Sequence, residues 1–240
     1  MVGPRGYKRV LVKLSGESFC QPGGSGIDAE SVAAVVQEIA LVIKRGVQVA
    51  LVVGGGNFLR GRDLAAVPEV EPATADYMGM MATVMNAIAL RDVMESRGLA
   101  ARTMSAISMP AVCEPFIRHR ALRHLETGRA VILAAGTGSP FFTTDTCAAL
   151  RAIELKAEVL MKATKVNGVF DADPVLHPKA KRYRRLSYQQ VLADRLAIMD
   201  LTAISLCMEK KMPLLVFALG RKGNLDRAVR GLNIGTLICE

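Results

Sequence analysis

The sequence contains no tryptophan, few aromatic residues, three histidines and no closely spaced pair of cysteines. Because aromatic residues are only 5% of the chain, a platform that stacks RNA bases is not expected. The five cysteines are scattered, so we expect buried, reduced thiols rather than a disulfide framework or a structural zinc site. The histidines lack the H-E-x-x-H spacing of a metalloprotease. We therefore expect no metal held by protein side chains.

Long apolar runs are also absent, since none reaches the ~18 residues that a transmembrane helix needs. The chain does not begin with the apolar segment of a secretory signal, and we expect a cytoplasmic protein without a membrane partner. Acidic residues are outnumbered: 31 Lys and Arg face 22 Asp and Glu, which gives a net charge of +9. This surplus favours anionic partners. Charge alone does not choose among nucleic acid, anionic lipid and phosphorylated metabolites.

Three familiar phosphate-binding signatures are missing as well. The P-loop pattern G-x-x-x-x-G-K-[ST] does not occur. A Rossmann G-x-G-x-x-G site is disfavoured, because Phe141 stands where the pattern beginning at Gly136 needs its last glycine. The protein-kinase motifs H-R-D and D-F-G are absent too. A kinase with this sequence would therefore belong to another lineage.

What is present is a regular alternation of short β-rich runs, glycine turns and amphipathic helices. The pattern predicts strands near 9–14, 47–53 and 130–135, and helices near 74–97 and 114–127. The almost unbroken apolar run of 47–53 is typical of a strand buried on both faces of a parallel sheet. Alternating strands and helices predict a mostly parallel sheet with helices on both faces. No linker interrupts the pattern, so we expect a single α/β domain.

Three glycine-rich turns follow three of the buried strands, at Lys13–Glu17, Gly54–Gly61 and Gly136–Asp145. Glycines let backbone N–H groups approach phosphate oxygens, and the N-terminus of a following helix adds positive potential. Lys13 and Arg60 lie in or beside two of these turns, where they would neutralise phosphate charge. In such sheets ligands bind at the carboxyl ends of the strands, and the glycine clusters are at those ends. The alternative is that each cluster is only a tight β-to-α turn.

Six segments of the chain match one protein family in chain order. They are Lys13–Glu17, Gly54–Gly61, Asp76–Met80, Gly136–Asp145, Lys162–Pro174 and Met199–Leu201. With these motifs the sequence closely resembles the bacterial UMP kinases (uridylate kinases) of the amino acid kinase superfamily. The similarity extends from about Tyr7 to Glu240. The part of the third turn from Pro140 is highly specific to UMP kinases, whereas Lys13–Gly16 alone indicates only the superfamily.

The resemblance implies a three-layer α/β sandwich with a mostly parallel central sheet, the amino acid kinase-like fold. It implies an enzyme of pyrimidine nucleotide biosynthesis that transfers the ATP γ-phosphoryl group to UMP, with Mg²⁺, to give UDP and ADP. Within the single domain of residues 1–240, a UMP-binding lobe is expected at about 1–160 and an ATP-binding lobe at about 161–240. Family members are commonly homohexamers that GTP activates and UTP inhibits.

The functional residues of the family fall on defined positions of this chain. The implied catalytic residues are Lys13, Arg60 and Asp145, the last as the carboxylate that orients the active-site lysine. The implied ATP-binding residues are Lys13, Leu14, Ser15, Gly16, Gly56, Arg60, Thr164, Phe170 and Asp173. The implied UMP-binding residues are Gly55, Asp76, Thr137, Gly138, Ser139, Pro140, Phe141, Phe142, Thr143 and Thr144. A GTP effector site is implied at Gln21, Pro22, Gly23, Gly24, Ser25, Gly26, Arg102 and Arg129.

The chemistry of this residue set suits a phosphate as the acceptor. A phosphate whose second pKa is ~6 is ionised near neutral pH, so the reaction needs no general base. Catalysis then consists of alignment and charge neutralisation, for which Lys13, Arg60 and Mg²⁺ are the candidates. The competing interpretations are a helix N-cap for Asp145 and a solvated strand-end lysine for Lys13. For Arg102 and Arg129 the competing interpretation is that they are ordinary surface arginines.

Two other functions remain open. One is a different kinase of the superfamily, acting on carbamate, an acyl carboxylate or isopentenyl phosphate, although the UMP-specific loop argues against it. The other is a binding protein without catalysis, such as a nucleic-acid regulator or an anion store. The net charge and the basic run Lys179–Arg185 motivate this second function. Such runs are usually solvated faces, and Lys13, Arg60 and Asp145 favour catalysis, so we expect no nucleic-acid partner.

Overall fold

A computed structural model of the chain describes residues 6–59, 67, 69–174, 176–177 and 179–240. The predicted catalytic and ATP-binding residue Arg60 lies outside these residues, as does the end of the second glycine turn at Gly61. Over the described ranges the chain forms nine strands and seven α-helices that alternate along most of its length. The predicted α/β class is therefore confirmed.

The nine strands of the described residues join into one sheet in the order β4-β3-β5-β2-β1-β6-β8-β9-β7. Every pair of neighbours runs parallel except β8 and β9, which are antiparallel. The strands are β1 Arg9–Leu14, β2 Gln48–Val53, β3 Ala101–Ser105, β4 Glu114–Pro115, β5 Ala130–Ala134, β6 Val159–Thr164, β7 Arg185–Ser187, β8 Leu214–Ala218 and β9 Thr236–Cys239.

The helices cover both faces of this sheet, which confirms the predicted three-layer sandwich. They are α1 Ala29–Ile43, α2 Pro72–Ser96, α3 Arg118–Glu126, α4 Thr144–Glu154, α5 Tyr188–Ala193, α6 Leu201–Glu209 and α7 Asn224–Val229, and a 3-10 helix spans Gly16–Phe19. Helices α1, α2 and α7 share one hydrophobic core with the sheet, and α3 to α6 share the other. Among the described residues, no helix has both the length and the apolarity to cross a bilayer.

The two-residue period of the strands divides the sheet between these cores. In β1, Val10 and Val12 pack in the core between the sheet and α1, whereas Leu11 packs in the core between the sheet and α4. Lys13 is two residues beyond Leu11, so it projects from the sheet face that α4 covers. Asp28 caps the N-terminus of helix α1, since its carboxylate accepts a hydrogen bond from the Ser31 amide at 2.8 Å.

The predicted helix over 114–127 is wrong at its start. Glu114 and Pro115 form the short strand β4, and the helix begins at Arg118. The reason is local, because a proline disfavours helical backbone at the residue before it and offers no amide for a helical hydrogen bond. At α2 the proline has the opposite consequence: the helix begins at Pro72, two residues earlier than predicted, where the first turn tolerates a missing N–H.

Candidate active site

The strand order brings the three glycine turns to one edge of the sheet. Strands β5, β2, β1 and β6 are consecutive parallel neighbours, so their carboxyl ends lie side by side. The chain passes from β1 to β2 on one side of β1, and later from β5 to β6 on the other side. Open α/β sheets bind ligands at the carboxyl ends around such a switch point. Lys13, Gly54 and Gly136 all stand at this edge.

The first two glycine turns touch each other, and glycine is required for that contact. A Cβ atom on Gly16 would lie 2.5 Å from the Gly56 nitrogen, and one on Gly54 would lie 2.8 Å from the Gly16 nitrogen. On Gly55, a Cβ would lie 2.8 Å from the Gly79 carbonyl oxygen of α2. Packing thus accounts for these three glycines. Gly56 differs, because a Cβ there would meet no described atom within 4 Å. Packing therefore does not require glycine at this position, and the space beside it is open.

Beside these turns, two lysines share one carboxylate. Lys13 of β1 and Lys162 of β6 are register partners on adjacent strands, so their side chains project from the same sheet face. Asp145, in the first turn of α4, stands between them with Oδ1 2.9 Å from Lys13 Nζ and Oδ2 2.7 Å from Lys162 Nζ. The Lys13 side chain is only 12% exposed, so its interpretation as a solvated lysine is wrong. Two positive charges and one negative charge are thereby gathered at the edge of the sheet.

Lys162 is a site residue that the sequence analysis missed. It lies within a matched segment, but its alignment with Lys13 exists only once the strand order is known. Burial lowers the pKa of Lys162, Asp145 opposes this shift, and the charge of Lys13 adds to it. The amine also donates a hydrogen bond to the Ile198 carbonyl oxygen. Lys162 therefore ties Asp145 to the segment that leads into α6.

The interpretation of Asp145 as a helix cap is also wrong. The N-cap of α4 is Thr143, whose hydroxyl accepts hydrogen bonds from the Asp145 and Thr146 amides at 3.0 and 3.3 Å. The Asp145 carboxylate is consequently available to the two lysines. A threonine directly before two further cap-competent residues explains why the sequence alone left the choice open.

Asp200 is a second residue without a predicted role, although it lies in the matched segment Met199–Leu201. Its carboxylate accepts hydrogen bonds from the Thr143 and Thr146 hydroxyls at 2.5 and 2.8 Å and from the Ala203 amide at 2.9 Å. Burial alone would raise the pKa of Asp200, but these hydrogen bonds lower it, and the net shift is downward. An ionised Asp200 thus holds the start of α4 against α6.

The third glycine turn is anchored to α2 at two points. Ala135 and Phe141 have φ values of +59° and +71°, in a region that side-chain-bearing residues rarely adopt. The Ala135 amide donates to the Thr83 hydroxyl and the Phe141 amide donates to the Asp76 carboxylate, each at 2.7 Å. These bonds to α2 hold the strained ends of the loop in place.

A cleft opens between the second glycine turn, α2 and the third turn. The predicted UMP-binding residues among its lining residues are Gly55, Asp76, Phe142, Thr143 and Thr144. Gly56, predicted for ATP, also lines it. The other predicted UMP-binding residues, Thr137, Gly138, Ser139, Pro140 and Phe141, continue the same loop without lining this cleft. Phe141 is 76% exposed, so its ring is free to contact a ligand or to stay in solvent.

Three of the predicted ATP-binding residues, Thr164, Phe170 and Asp173, lie on the other side of β1, in and after β6. The Thr164 hydroxyl donates to the Val166 and Phe217 carbonyl oxygens at 2.6 and 3.1 Å, which fixes the end of that strand. Phe170 forms an isolated antiparallel bridge with Arg182. The Asp173 carbonyl oxygen accepts a hydrogen bond from the His177 amide at 2.7 Å. These residues and the loop predicted to bind UMP, which follows β5, thus belong to strands on opposite sides of β1.

The structure does not bring the predicted effector residues together within one chain. The segment Gln21–Gly26 follows the 3-10 helix and bonds to the second glycine turn, since the Gly26 amide donates to the Asn57 carbonyl oxygen at 2.8 Å. Arg102 instead forms ion pairs with Glu95 at 2.9 Å and Glu114 at 3.8 Å. Arg129 stands 3.2 Å from the His124 ring. Among the contacts of the described residues, none joins either arginine to the Gln21–Gly26 segment.

Comparison with known proteins agrees with this geometry. The model of the amino acid kinase family matches residues 8–218. A UMP kinase from Bacillus anthracis superposes with a TM-score of 0.94 at 37% identity, covering 98% of this chain and 97% of that one. One from Ureaplasma parvum gives 0.91 at 31% identity, with 98% and 99% covered. The uridylate kinase from Archaeoglobus fulgidus gives 0.70 at 28% identity, with 96% and 99% covered.

A parallel α/β sandwich with cationic and glycine-rich strand ends defines a phosphotransferase of the amino acid kinase type. The chain belongs to the amino acid kinase family. Within that family it groups with the UMP kinases, which confirms the resemblance drawn from its motifs.

Proposed function

We propose that the protein is a UMP kinase that transfers the γ-phosphoryl group of ATP to UMP and releases UDP and ADP. The observation that carries this proposal is the Lys13–Asp145–Lys162 group, which stands between the two sets of strand-end loops. In this proposal UMP binds to residues of the first lobe, about 1–160. ATP binds along the first turn and the second lobe, about 161–240, with the reacting phosphates meeting beside Lys13.

The proposed UMP site is the cleft beneath the third turn. There the backbone of Gly55 approaches the UMP phosphate, and Asp76 binds the ribose hydroxyls. The loop of residues 137–144 wraps the nucleotide, and the anchors of that loop on α2 keep its shape before the substrate arrives. Preorganisation of this kind lowers the entropy that binding would otherwise cost.

The proposed chemistry is an in-line displacement. An ionised oxygen of the UMP phosphate forms a bond to the γ-phosphorus of ATP, while the bond to the bridging oxygen breaks and its electron pair leaves with ADP. No proton has to be removed from the acceptor. Lys13 stabilises the charge on the transferring group, and Asp145 holds Lys13 in position. Arg60, which lies outside the described residues, is proposed as the second cation.

The donor set at this edge fits a metal that arrives with the nucleotide. Within the described ranges no cluster of three His, Cys, Asp or Glu side chains is close enough to hold a metal ion. The two nearby carboxylates, Asp145 and Asp200, already bind lysines, threonines and a backbone amide. Magnesium commonly keeps waters and binds through substrate phosphates. We propose that Mg²⁺ is bound by the ATP phosphates, where it neutralises part of their charge.

The first prediction tests the substrate and the role of Lys13 together. We expect ADP release from ATP to depend on UMP, with CMP and small carboxylates such as carbamate and acetate giving far lower rates. Lys13→Ala should lower kcat by at least about a hundredfold, because one charge contact to the transition state is lost. UMP affinity, measured by calorimetry, should stay within about threefold of the wild type. Near-normal turnover by Lys13→Ala, or a preference for a carboxylate, would reject the assignment.

Regulation and assembly form a second part of the proposal. We propose a cytoplasmic homohexamer in pyrimidine nucleotide biosynthesis, activated by GTP and inhibited by UTP, with Gln21–Gly26, Arg102 and Arg129 at the GTP site. Supporting it are the half-exposed Arg102 and the open pocket that Arg102 lines with Arg91 and Glu95. Because the two sets of effector residues are apart in one chain, a shared ligand would have to lie between subunits.

The second prediction concerns this effector site. GTP should raise the UMP-dependent rate of the wild type, and Arg129→Ala should reduce the activation while leaving the rate without GTP within about twofold. Titration of GTP at fixed ATP and UMP measures both quantities. Lys210→Ala, on the exposed C-terminal end of α6, is the control for a lost surface charge. A wild-type rate that does not respond to GTP would remove the proposal of activation.

A further inference from the structure

Two buried asparagines beneath the second glycine turn form a reciprocal pair. Asn57 is 3% exposed, and Asn86 of α2 is fully buried. Asn57 Nδ2 donates to Asn86 Oδ1 at 2.9 Å, and Asn86 Nδ2 donates to Asn57 Oδ1 at 2.7 Å. A buried amide is costly unless its polar atoms are paired. Each side chain therefore depends on the other for its place.

The remaining donors of the pair reach two separate segments of backbone. Asn86 Nδ2 also donates to the Gly54 carbonyl oxygen at 2.7 Å. Asn57 Nδ2 also donates to the Gly26 carbonyl oxygen at 2.6 Å, and the Gly26 amide returns a hydrogen bond to the Asn57 carbonyl oxygen at 2.8 Å. Both N–H donors of each amide are thus used. The pair connects α2, the turn at Gly54–Gly56 and the segment Gln21–Gly26.

The first glycine turn also rests on this pair. A Cβ atom on Gly16 would lie 2.7 Å from Asn57 Oδ1 and 2.9 Å from the Asn57 nitrogen. The turn after β1 and the turn after β2 are therefore in contact with the same side chain. A displacement of Asn57 would move both turns, and a displacement of Gln21–Gly26 would pull on Asn57 through two hydrogen bonds.

We propose that Asn57 and Asn86 are positioning residues that hold the two phosphate turns and couple them to the Gln21–Gly26 segment. The proposal rests on the proposed function in one respect, namely that these turns bind nucleotide phosphates. The coupling runs in both directions: phosphates bound at the turns rigidify Gln21–Gly26, and a ligand or subunit on that segment changes phosphate binding. The two amides make no contact with substrate in this proposal and act through the turns.

Hydrogen exchange tests the coupling without any nucleotide. Asn86→Leu replaces the amide by an apolar side chain of similar volume and lies in a helix that does not itself bond to Gln21–Gly26. We expect exchange of the peptide over residues 21–28 to become at least about fivefold faster. The control is Thr103→Val, which also removes a buried polar group facing α2, the hydroxyl that contacts the Ala87 carbonyl oxygen at 3.4 Å. Equal exchange in the two variants would overturn the coupling.

Kinetics test the positioning role. We expect Asn86→Leu and Asn57→Ser to raise KM for ATP and UMP about tenfold and to lower kcat less than threefold, since the turns bind phosphates while Asp145 still holds the Lys13 amine. The double variant should be no worse than the poorer single variant, because the amides act as one unit. Additive losses, or a lower kcat with unchanged KM, would overturn it. If the wild type phosphorylates no nucleotide, the proposed function fails while the exchange experiment still decides the coupling.

A variant that does not fold is replaced rather than discarded. Asn86→Ser leaves room for water and keeps one hydroxyl, and the same peptide and kinetic readouts apply to it. We expect intermediate values between those of the wild type and of Asn57→Ser. Wild-type exchange and wild-type KM values in Asn86→Ser would overturn the proposal.

Discussion

At the scale of single residues, the electrostatics of the site follow from one carboxylate between two lysines. Register partners of like charge on adjacent strands repel each other, and Asp145 offsets that repulsion. Removing one partner of a buried ion pair leaves an uncompensated charge, which costs about 3–5 kcal/mol. Lys162 also donates to the Ile198 carbonyl oxygen, so it fixes Asp145 relative to the backbone. Lys162 is thereby placed to position Lys13 through Asp145.

Lys162 should give the enzyme a limit on the alkaline side. Because burial lowers the pKa of Lys162 from its ordinary 10.5, its proton is lost at a lower pH than that of a free lysine, and Asp145 then loses a partner. We expect kcat to fall as pH rises through this pKa. Lys162→Gln should lower kcat about tenfold at neutral pH and abolish this alkaline limb, whereas Lys162→Arg should keep most activity and move the limb upward.

A stability measurement separates this effect from unfolding. The unfolded chain holds the Lys162 proton more tightly than the folded chain, so this group makes the free energy of unfolding rise with pH between the lowered pKa and 10.5. Activity is therefore lost where this contribution to stability increases. Denaturant titrations across the same pH range check the sign. An alkaline limb that persists unchanged in Lys162→Gln belongs to another group.

At the scale of elements, the strands and turns that could be predicted are those marked by a hydrophobic period or by clustered glycines. The apolar run of β2 and the glycine turns that follow β1, β2 and β5 indicated a parallel sheet with these turns at one edge, as the structure has them. The cap of α1 is Asp28, a single carboxylate directly before the helix. At α4 the sequence offers Thr143, Thr144 and Asp145 in succession. Tertiary contacts determine which of the three is the N-cap, because Asp145 forms ion pairs with the two lysines and Thr143 caps the helix.

Other features could not be predicted, because they depend on pairs that are distant in the sequence. The strand β4 contains two residues, and Pro115 within it gives no helix or strand period. The pairing of Lys13 with Lys162 requires the order of strands, which is a property of the whole sheet. The bonds from Thr143 and Thr146 to Asp200 span more than fifty residues. The local sequence pattern therefore predicts the loops of the site, whereas the residues that contact those loops depend on the topology of the sheet.

At the scale of the whole molecule, the surplus of positive charge has several uses. Lys13 accounts for part of it at the edge of the sheet where the glycine turns meet. The basic run Lys179–Arg185 leads into β7, which is the last strand of the sheet order. Within this run Arg182 donates to the Asn167 and Ile234 carbonyl oxygens, each at 3.2 Å, and Arg185 donates to the Glu240 carbonyl oxygen at 3.1 Å. Of these cations only Arg185 lies on the edge strand itself, where it is exposed, and exposed cations on an edge strand oppose pairing with another chain.

A buried carboxylate of α1 is bonded to the start of α7. Glu38 of α1 is 5% exposed, and its oxygens accept hydrogen bonds from the Gly223 amide at 2.6 Å and the Leu225 amide at 3.1 Å. These amides belong to the first turn of α7, which has no side-chain cap of its own. A carboxylate at a helix N-terminus also favours the helix dipole. Glu38 thus caps the N-terminus of α7, although Gly223 lies 185 residues away along the chain.

The variant Glu38→Ala tests the link between Glu38 and α7. Glu38→Ala leaves the buried Leu225 amide and the part-buried Gly223 amide without an acceptor. A buried amide without a partner costs about 1–3 kcal/mol and a part-buried one costs less, so we expect the free energy of unfolding to fall by about 2–4 kcal/mol. Urea denaturation followed by circular dichroism measures it, and Gln37→Ala on the exposed side of α1 should stay within about 0.5 kcal/mol of the wild type. Because α7 packs in the core that contains β1 and β2, the loss should lower the midpoint of one cooperative transition. A separate early transition in Glu38→Ala would mean that α7 unfolds on its own and that α1 and α7 are less tightly joined than the hydrogen bonds of Glu38 imply.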